Sequence, residues 1–217
     1  MFKSRKEAAD QLSVKLEKYR NINPIVLAAS REGVEVGYHI SKYLDCDFSI
    51  IISKPLAFLK QPENNFGALA EDGSIYLDPE IRRKLTKEEI YKAIESREKL
   101  IKQNVQMYRN GQPLPALNNR IVILADDALT TSSSELFAAI HMCKKQKPRN
   151  IVVAAPIADN YMIEQVYKKV SDVVTILNCD NLYSVSGLYE DFNRLSDQDI
   201  LSYLASWNLR NALKSLA

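Results

Sequence analysis

The sequence predicts an α/β protein built on a parallel, doubly wound β-sheet. Two observations carry this prediction. Short apolar runs of strand length alternate along the chain with segments of helical periodicity. The runs are apolar throughout, which is typical of strands that helices cover on both faces. A length of 217 residues, without a low-complexity linker, favours a single domain.

The first half of the chain is assigned from helical spacing and turn residues. Leu12 and Leu16 lie on one face of the first helix, and Ile40 lies on the apolar face of the second. The strands between them are unbroken apolar runs. In chain order, the prediction gives a helix over 3–20, a strand over 24–29, a helix over 34–44, a strand over 48–52 and a hairpin over 66–77 that turns at Asp72 and Gly73.

The second half begins with a long, charged helix. Thr86 is its N-cap, Glu89 stands in the capping-box position, and Asn110 and Gly111 end it after about Tyr108. Core strands and helices then alternate. In chain order, the prediction gives a helix over 86–108, a strand over 120–125, a helix over 133–146, a strand over 151–156, a helix over 159–170, a strand over 173–177 and an amphipathic helix over 196–216.

Composition excludes several classes of protein. The 29 Lys and Arg residues nearly balance 27 Asp and Glu residues, so the charge does not favour nucleic acid or a membrane surface as partner. No apolar run approaches the roughly 20 residues of a spanning helix, and the first residues lack the apolar core of a signal peptide. Three widely spaced cysteines, Cys46, Cys143 and Cys179, argue against a disulfide framework and a zinc site. We therefore expect a cytoplasmic protein.

The turn after the strand over 120–125 is the strongest candidate site. Ligands of such sheets bind beyond the carboxyl ends of the strands. Two adjacent acids, Asp126 and Asp127, repel each other and indicate a bound cation or hydroxyl donors. The helix start that follows offers hydroxyls, free amides and a positive dipole end, which suit a phosphate. The hydroxyl residues are Thr130, Thr131, Ser132, Ser133 and Ser134. Together these features suit a phosphorylated sugar; the alternative is a capped helix with a solvated acid pair.

An apolar strand, two acids and a hydroxyl-rich turn resemble the motif with which type I phosphoribosyltransferases bind 5-phosphoribosyl 1-diphosphate (PRPP). Further segments at 30–33, 67–73, 108–111, 154–158 and 189–192 resemble a bacterial subgroup of predicted phosphoribosyltransferases. The resemblance therefore covers nearly the whole chain. It implies the type I fold, with a small hood and an inserted long helix. The implied organisation is one domain over 1–217, with an insertion over about 54–118 and a C-terminal hood and helix over about 178–217.

The resemblance also implies an activity, which is Mg²⁺-dependent transfer of a phosphoribosyl group from PRPP to a small-molecule acceptor. Asp126 and Asp127 would hold the ribose hydroxyls, and the turn over 130–134 would hold the 5′-phosphate. The acceptor is not identified, and a homodimer is expected from the resemblance only.

The second candidate turn follows the strand over 24–29 and consists of Ser30, Arg31, Glu32 and Gly33. It resembles the family's diphosphate-binding turn, in which backbone amides and an arginine would hold the leaving diphosphate. Lys54 matches a family lysine that would face the same group. The alternative is an ordinary strand–helix turn with surface cations.

Two further positions follow from the resemblance of the segment 186–193 to hypoxanthine-guanine enzymes. Asp191 matches an aspartate that meets a second Mg²⁺ in those enzymes. Tyr183 and Tyr189 would stack on the base of the acceptor. The alternative for both tyrosines is packing within the hood.

The chain departs from the family motifs mainly in its scarcity of glycine. It has 6 glycines in 217 residues, whereas about 7% of the residues of ordinary proteins are glycine. Ser132 stands where the motif usually has glycine, Ala128 where the subgroup often has another, and Glu32 replaces a glycine of the diphosphate turn. Serine at 132 is expected to narrow the loop or to require a costly backbone angle. Thr130 fills a position where purine-salvage members carry an acidic base, so no general base is expected there. These departures motivate a second hypothesis, a regulatory protein that binds PRPP or a nucleotide without catalysis.

Overall fold

The computed structural model describes residues 1–58, 61–182, 184–214 and 216, and the predicted strands and longer helices are all present with boundaries shifted by a few residues. The strands are β1 (Pro24–Ala28), β2 (Asp47–Ile50), β3 (Ser53–Phe58), β4 (Gln61–Ala70), β5 (Ile75–Leu77), β6 (Ile121–Ala125), β7 (Ala128–Leu129), β8 (Asn150–Ala154), β9 (Ile157–Asp159), β10 (Asp172–Val174) and β11 (Leu177–Cys179). The helices are α1 (Arg5–Lys15), α2 (Gly33–Leu44), α3 (Pro79–Arg82), α4 (Lys87–Arg109), α5 (Ser134–Lys145), α6 (Asn160–Tyr167) and α7 (Asp197–Lys214).

A five-stranded sheet in the order β10-β8-β6-β1-β2 forms the centre of the molecule, and all its neighbours are parallel. Side chains of successive strand residues point to opposite faces. Val26 of β1 therefore lies in one core with Ile40 of α2 and Trp207 of α7. Leu27 lies in the other core with Leu136 of α5. This arrangement confirms the predicted parallel, doubly wound sheet.

A second, smaller parallel sheet in the order β11-β9-β7 lies beyond the carboxyl ends of three central strands. The sequence predicted continuous strands over 151–156 and 173–177, but each one breaks between the two sheets. At Pro156 the chain has no amide hydrogen to donate, and the Pro156 carbonyl accepts the amides of Ile176 and Leu177 at 3.1 and 2.9 Å. The corresponding break after β6 places Asp126 and Asp127 between the sheets.

The region between β2 and β6 contains an antiparallel sheet, in the order β3-β4-β5, that packs on α5. The predicted hairpin is confirmed: Gly73 has a φ of 81°, and the Asp72 carboxylate accepts the Ser74 amide at 2.8 Å. Strand β3 was not predicted. The capping box of α4 is also confirmed by reciprocal bonds between Thr86 and Glu89. The division into insertion and hood stays a prediction.

Within the described part of the chain, no helix combines the length and apolar character needed to span a membrane.

Candidate functional site

Two predicted turns meet at the carboxyl edge of the central sheet because β1 and β6 are neighbours in register. Ala28 pairs with Ala125, so the residues that follow the two strands lie side by side. The Ser30 hydroxyl donates to a carboxylate oxygen of Asp126 and accepts the amide of Gly33 at 3.0 Å. The structure therefore joins the acid pair to the second candidate turn, Ser30 to Gly33, through one serine.

The acid pair is buried, with Asp126 and Asp127 only 6% and 8% exposed. Burial and the neighbouring charge of Asp127 raise the pKa of Asp126 well above its ordinary value. Burial also raises the pKa of Asp127, although the guanidinium of Arg5 opposes that rise. The Asp127 amide donates to Asp126 at 2.9 Å. Burial therefore opposes ionisation of both carboxyls, and the Arg5 guanidinium partly offsets this effect at Asp127.

Arg5 is a site residue that the sequence analysis missed. It lies at the start of α1, is 3% exposed, and its Nε donates to the Asp127 carboxylate at 3.0 Å. Its Nη1 donates to the Asn193 carbonyl at 2.6 Å, and its guanidinium lies 4.4 Å from the centre of the Phe192 ring. Its buried Nη2 has no hydrogen-bond partner among the described residues. Arg5 thus links α1 and the segment before α7 to the acid pair.

The hydroxyl-rich turn before α5 is held by its own side chains. The Ser133 hydroxyl accepts the amide of Thr130 at 3.0 Å, and the Thr130 hydroxyl accepts the amide of Ser132 at 3.2 Å. Ser133 makes no side-chain capping bond to α5, while the Ser134 amide donates to the Ser132 carbonyl at 2.8 Å. The first-turn amides that follow Ser134 are therefore the ones that a ligand would bind. Within the parts of the chain that the structure describes, the buried Ser134 hydroxyl also has no partner. Thr131 is exposed.

The backbone strain expected at Ser132 is absent. Positive φ angles at described non-glycine residues occur at seven positions, and Ser132 is not among them. The residue is exposed and lines a cavity together with Thr131 and Ser134, so the expected narrowing of the turn stays a prediction.

Arg31 leaves its own turn and reaches two distant elements. Its Nη1 donates to the Leu195 carbonyl at 3.0 Å. Its Nη2 donates to the Tyr108 hydroxyl of α4 at 3.2 Å and to the Asp197 carboxylate of α7 at 2.6 Å. The structure therefore places Arg31 at the cleft but already paired.

A cavity of about 190 Å³ lies beside the diphosphate turn. The predicted residues that line it are Ser30, Arg31, Glu32 and Lys54. Glu32 forms an ion pair with the exposed Arg194 at 3.5 Å, so its charge is turned toward a cation. The side-chain amide of Asn104 is best oriented with its nitrogen donating to the Leu100 carbonyl. In that orientation its oxygen accepts a hydrogen bond from Lys54 Nζ at 2.9 Å. These contacts bring four of the predicted residues together around one small space.

Glu135 also lines this cavity and was missed, although a carboxylate directly after a hydroxyl run is a detectable signal. It lies in the first turn of α5. Burial raises its pKa to about 7, with Lys54 lowering it and Glu32 raising it. A carboxyl that titrates near neutrality inside a cleft is a candidate proton donor or acceptor.

Glu135→Gln is expected to remove a pH dependence of stability. The folded-state pKa of about 7 exceeds the ordinary value of 4.5, so the folded protein holds a proton that the unfolded chain has released between these values. Wild-type stability therefore falls as pH rises through this window, whereas glutamine stays neutral. Urea denaturation from pH 4.5 to 8 should show the variant gaining about 1–3 kcal/mol on wild type. Glu98→Gln, at an exposed position, is the control, and its stability should vary with pH as that of wild type does. If the stability of Glu135→Gln also varied with pH as wild type does, the raised pKa of Glu135 would be contradicted.

Three further predicted residues belong to the segment between β11 and α7, and the structure describes two of them. Asp191 is exposed, and its carboxylate accepts from the Asn193 amide at 2.5 Å. Tyr189 is 4% exposed, stacks on Phe192, and donates its hydroxyl to the Asp127 carbonyl at 3.2 Å. This burial favours packing over stacking on an acceptor base. Tyr183 lies outside the described residues.

The Mg²⁺ that the resemblance implies must be judged from the ligands present. The described residues contain no group of three or more His, Cys, Asp or Glu side chains that could hold a metal. Mg²⁺ is usually bound through one or two carboxylates together with phosphate oxygens of a substrate. The acid pair fits a metal of that kind, which arrives with a phosphorylated ligand.

Comparisons with known proteins bear on the chain as a whole. No protein-family model matches the chain. Two curated proteins of Mycobacterium tuberculosis, "Putative phosphoribosyl transferase MT0597" (strain CDC 1551 / Oshkosh) and "Putative phosphoribosyl transferase Rv0571c" (strain ATCC 25618 / H37Rv), are each 25% identical to it over 206 residues. These matches cover 94% of this chain and 46% of each relative. The chain thus spans about half the length of the curated relatives it matches.

A solved structure shares the fold over almost the whole chain. The crystal structure of TT1426 from Thermus thermophilus matches with a TM-score of 0.80 at 25% identity, covering 95% of this chain and 98% of that one. The α/β fold with a parallel central sheet, which the sequence predicted, is confirmed. The resemblance to phosphoribosyltransferases that began with Asp126 and Asp127 is thereby confirmed.

Proposed function

We propose that the protein is a phosphoribosyltransferase that binds PRPP between the acid pair and the diphosphate turn. One observation carries the proposal: the buried pair Asp126 and Asp127 is joined through Ser30 to the neighbouring turn, beside the uncapped start of α5. Carboxylates accept from ribose hydroxyls, and a helix start binds phosphate. The names of the two curated relatives support the same class of reaction.

In the proposed reaction, the bond between the anomeric carbon of ribose and a diphosphate oxygen breaks. A bond from that carbon to a nucleophilic atom of the acceptor, such as a ring nitrogen of a base, forms, and the acceptor releases a proton. The cleft residues stabilise the negative charge that develops on the diphosphate. In this proposal Arg31 and amides of its turn supply part of that stabilisation. A Mg²⁺ bound with PRPP would neutralise further charge on the same group.

PRPP with Mg²⁺ is expected to stabilise the wild-type protein and to stabilise Asp127→Asn much less. At a ligand concentration near 100 times Kd, the wild-type Tm should rise by about 5 °C or more. Asparagine loses the charge that attracts the ribose hydroxyls, so at least half of the shift should disappear. Thermal unfolding with and without PRPP measures both values, and exposed Asp10→Asn serves as the control of equal charge change. A wild-type protein that PRPP does not stabilise would overturn the proposal.

A regulatory protein that binds PRPP or a nucleotide is the second candidate, and the engagement of Arg31 with Asp197 favours it. The two candidates differ in turnover. Diphosphate release from PRPP, assayed against a panel of nitrogenous bases, is expected for the transferase. Binding without release for every base would favour the regulator.

A further inference from the structure

The guanidinium of Arg31 already binds a carboxylate of the protein at the place where an anionic ligand would bind. The Asp197 carboxylate accepts from Nη2 at 2.6 Å, and the Tyr108 hydroxyl accepts from the same nitrogen at 3.2 Å. Tyr108 in turn donates to the same Asp197 oxygen at 2.6 Å. The loop residue, α4 and the start of α7 are therefore joined in one hydrogen-bonded triangle.

This triangle engages the nitrogen that a diphosphate most needs. Arginine binds phosphate through two parallel N–H groups. Its two bidentate edges are the pairs Nε with Nη2 and Nη1 with Nη2, so Nη2 takes part in both. Any bidentate ligand of Arg31 must therefore replace or share the contacts with Asp197 and Tyr108.

Asp197 is suited to exchange with a ligand. Its side chain is 51% exposed, against 31% for Arg31, and it is the first residue of α7. The hydrogen bond from Tyr108 and the contact with Arg31 lower the pKa of Asp197, so it carries a negative charge at neutral pH. An exposed ion pair contributes little free energy, which makes it replaceable by a more highly charged group.

The other cations around the cavity are not held as Arg31 is, so Arg31 is the cation whose contacts a ligand would have to break. Arg194 pairs with Glu32 at 3.5 Å but is 88% exposed, and Lys54 contacts the neutral Asn104 amide. Of these three cations, only Arg31 forms hydrogen bonds with two helices, α4 through Tyr108 and α7 through Asp197.

We propose that Asp197 and Tyr108 compete with the ligand for Arg31, holding its guanidinium until a diphosphate group replaces the Asp197 carboxylate. Ligand binding then releases the start of α7, so that helix senses whether the cleft is occupied. This inference rests on the proposed function, because it takes the turn over 30–33 to be a diphosphate site.

Inorganic diphosphate with Mg²⁺, titrated by calorimetry, tests the inference. Asp197→Asn removes the competing charge and is expected to bind diphosphate about two- to five-fold more tightly than wild type, the range of a partly exposed ion pair. Tyr108→Phe should bind more tightly by a smaller factor. Asp10→Asn, which removes the same charge from an exposed position on α1, is the control and should match wild type.

Hydrogen exchange gives a second readout that a merely structural role would not move. The amides over 195–199 should exchange faster in wild type when diphosphate is bound, and this difference should be lost in Asp197→Asn. Weaker binding of diphosphate by Asp197→Asn, or equally tightened binding by Asp10→Asn, would overturn the competition. If diphosphate binds neither wild type nor Asp197→Asn, the diphosphate site of the proposed function fails, which is a different result.

Discussion

Gly33→Ala is expected to destabilise the protein and to disrupt the candidate site together. A Cβ atom at position 33 would lie 2.5 Å from the Ala125 carbonyl oxygen and 3.0 Å from the Asp126 Cα. Both are backbone atoms of the strand end that carries the acid pair, so neither can move aside as a flexible side chain would. Overpacking of this kind costs about 1–3 kcal/mol. Urea denaturation should show that loss, and the Tm increase caused by PRPP should fall with it.

Gly187→Ala is the matched control for this experiment. A Cβ at Gly187 would have no atom within 4 Å, so the same substitution should leave stability nearly unchanged there. The contrast separates the close approach of two backbones from any general effect of removing a scarce glycine. If both alanine variants were equally stable, the contact between α2 and the end of β6 would not determine the geometry of the site.

The central sheet could be predicted from the sequence, whereas the pairing of the two turns also required the strand order that the structure gives. Unbroken apolar runs signal buried parallel strands, and parallel strands bring their carboxyl ends to one edge. Ser30 and Asp126 therefore had to lie near each other once β1 and β6 were neighbours. The capping box of α4 and the turn at Gly73 were predictable for a local reason, because their hydrogen bonds join residues two or three positions apart.

The missed elements depend on contacts that no local pattern records. Strands β7, β9 and β11 have two or three residues each, too few to produce a periodic signal. Strand β3 is stabilised by its pairing with β4 and carries irregular register near Ala57.

The missed site residues share this cause. In the sequence, Arg5 is an ordinary charged residue at the start of a predicted helix, and nothing near it indicates its partner Asp127, which is 122 residues away. In the sequence, Asp197 is an acidic residue in the first turn of a helix, where a negative charge is stabilised by the helix dipole. Its contact with Arg31 joins residues 166 positions apart. Side chains that act across the fold in this way become visible only when the elements are in place.

Arg5→Met is expected to destabilise the protein by about 3–5 kcal/mol at neutral pH, the cost of breaking a buried ion pair by removing one partner. Methionine is long enough to keep much of the packing on Phe192 but leaves the Asp127 charge buried without its cation. Urea denaturation at pH 7.5 measures the loss. Lys6→Met on the same helix breaks only the exposed pair with Asp10, so it should change stability by less than about 0.5 kcal/mol.

The pH dependence of this loss identifies its cause. Without the guanidinium, burial raises the pKa of Asp127 further above its unfolded value, and the folded variant must hold a proton that the unfolded chain releases. The penalty should therefore be largest at pH 8 and shrink as the pH falls toward the range where Asp127 is protonated in both states. Adding Asp127→Asn to Arg5→Met should recover most of the lost stability. A penalty equal at pH 5 and pH 8, with no recovery in the double variant, would mean that Arg5 acts through its packing on Phe192 and not through the acid pair.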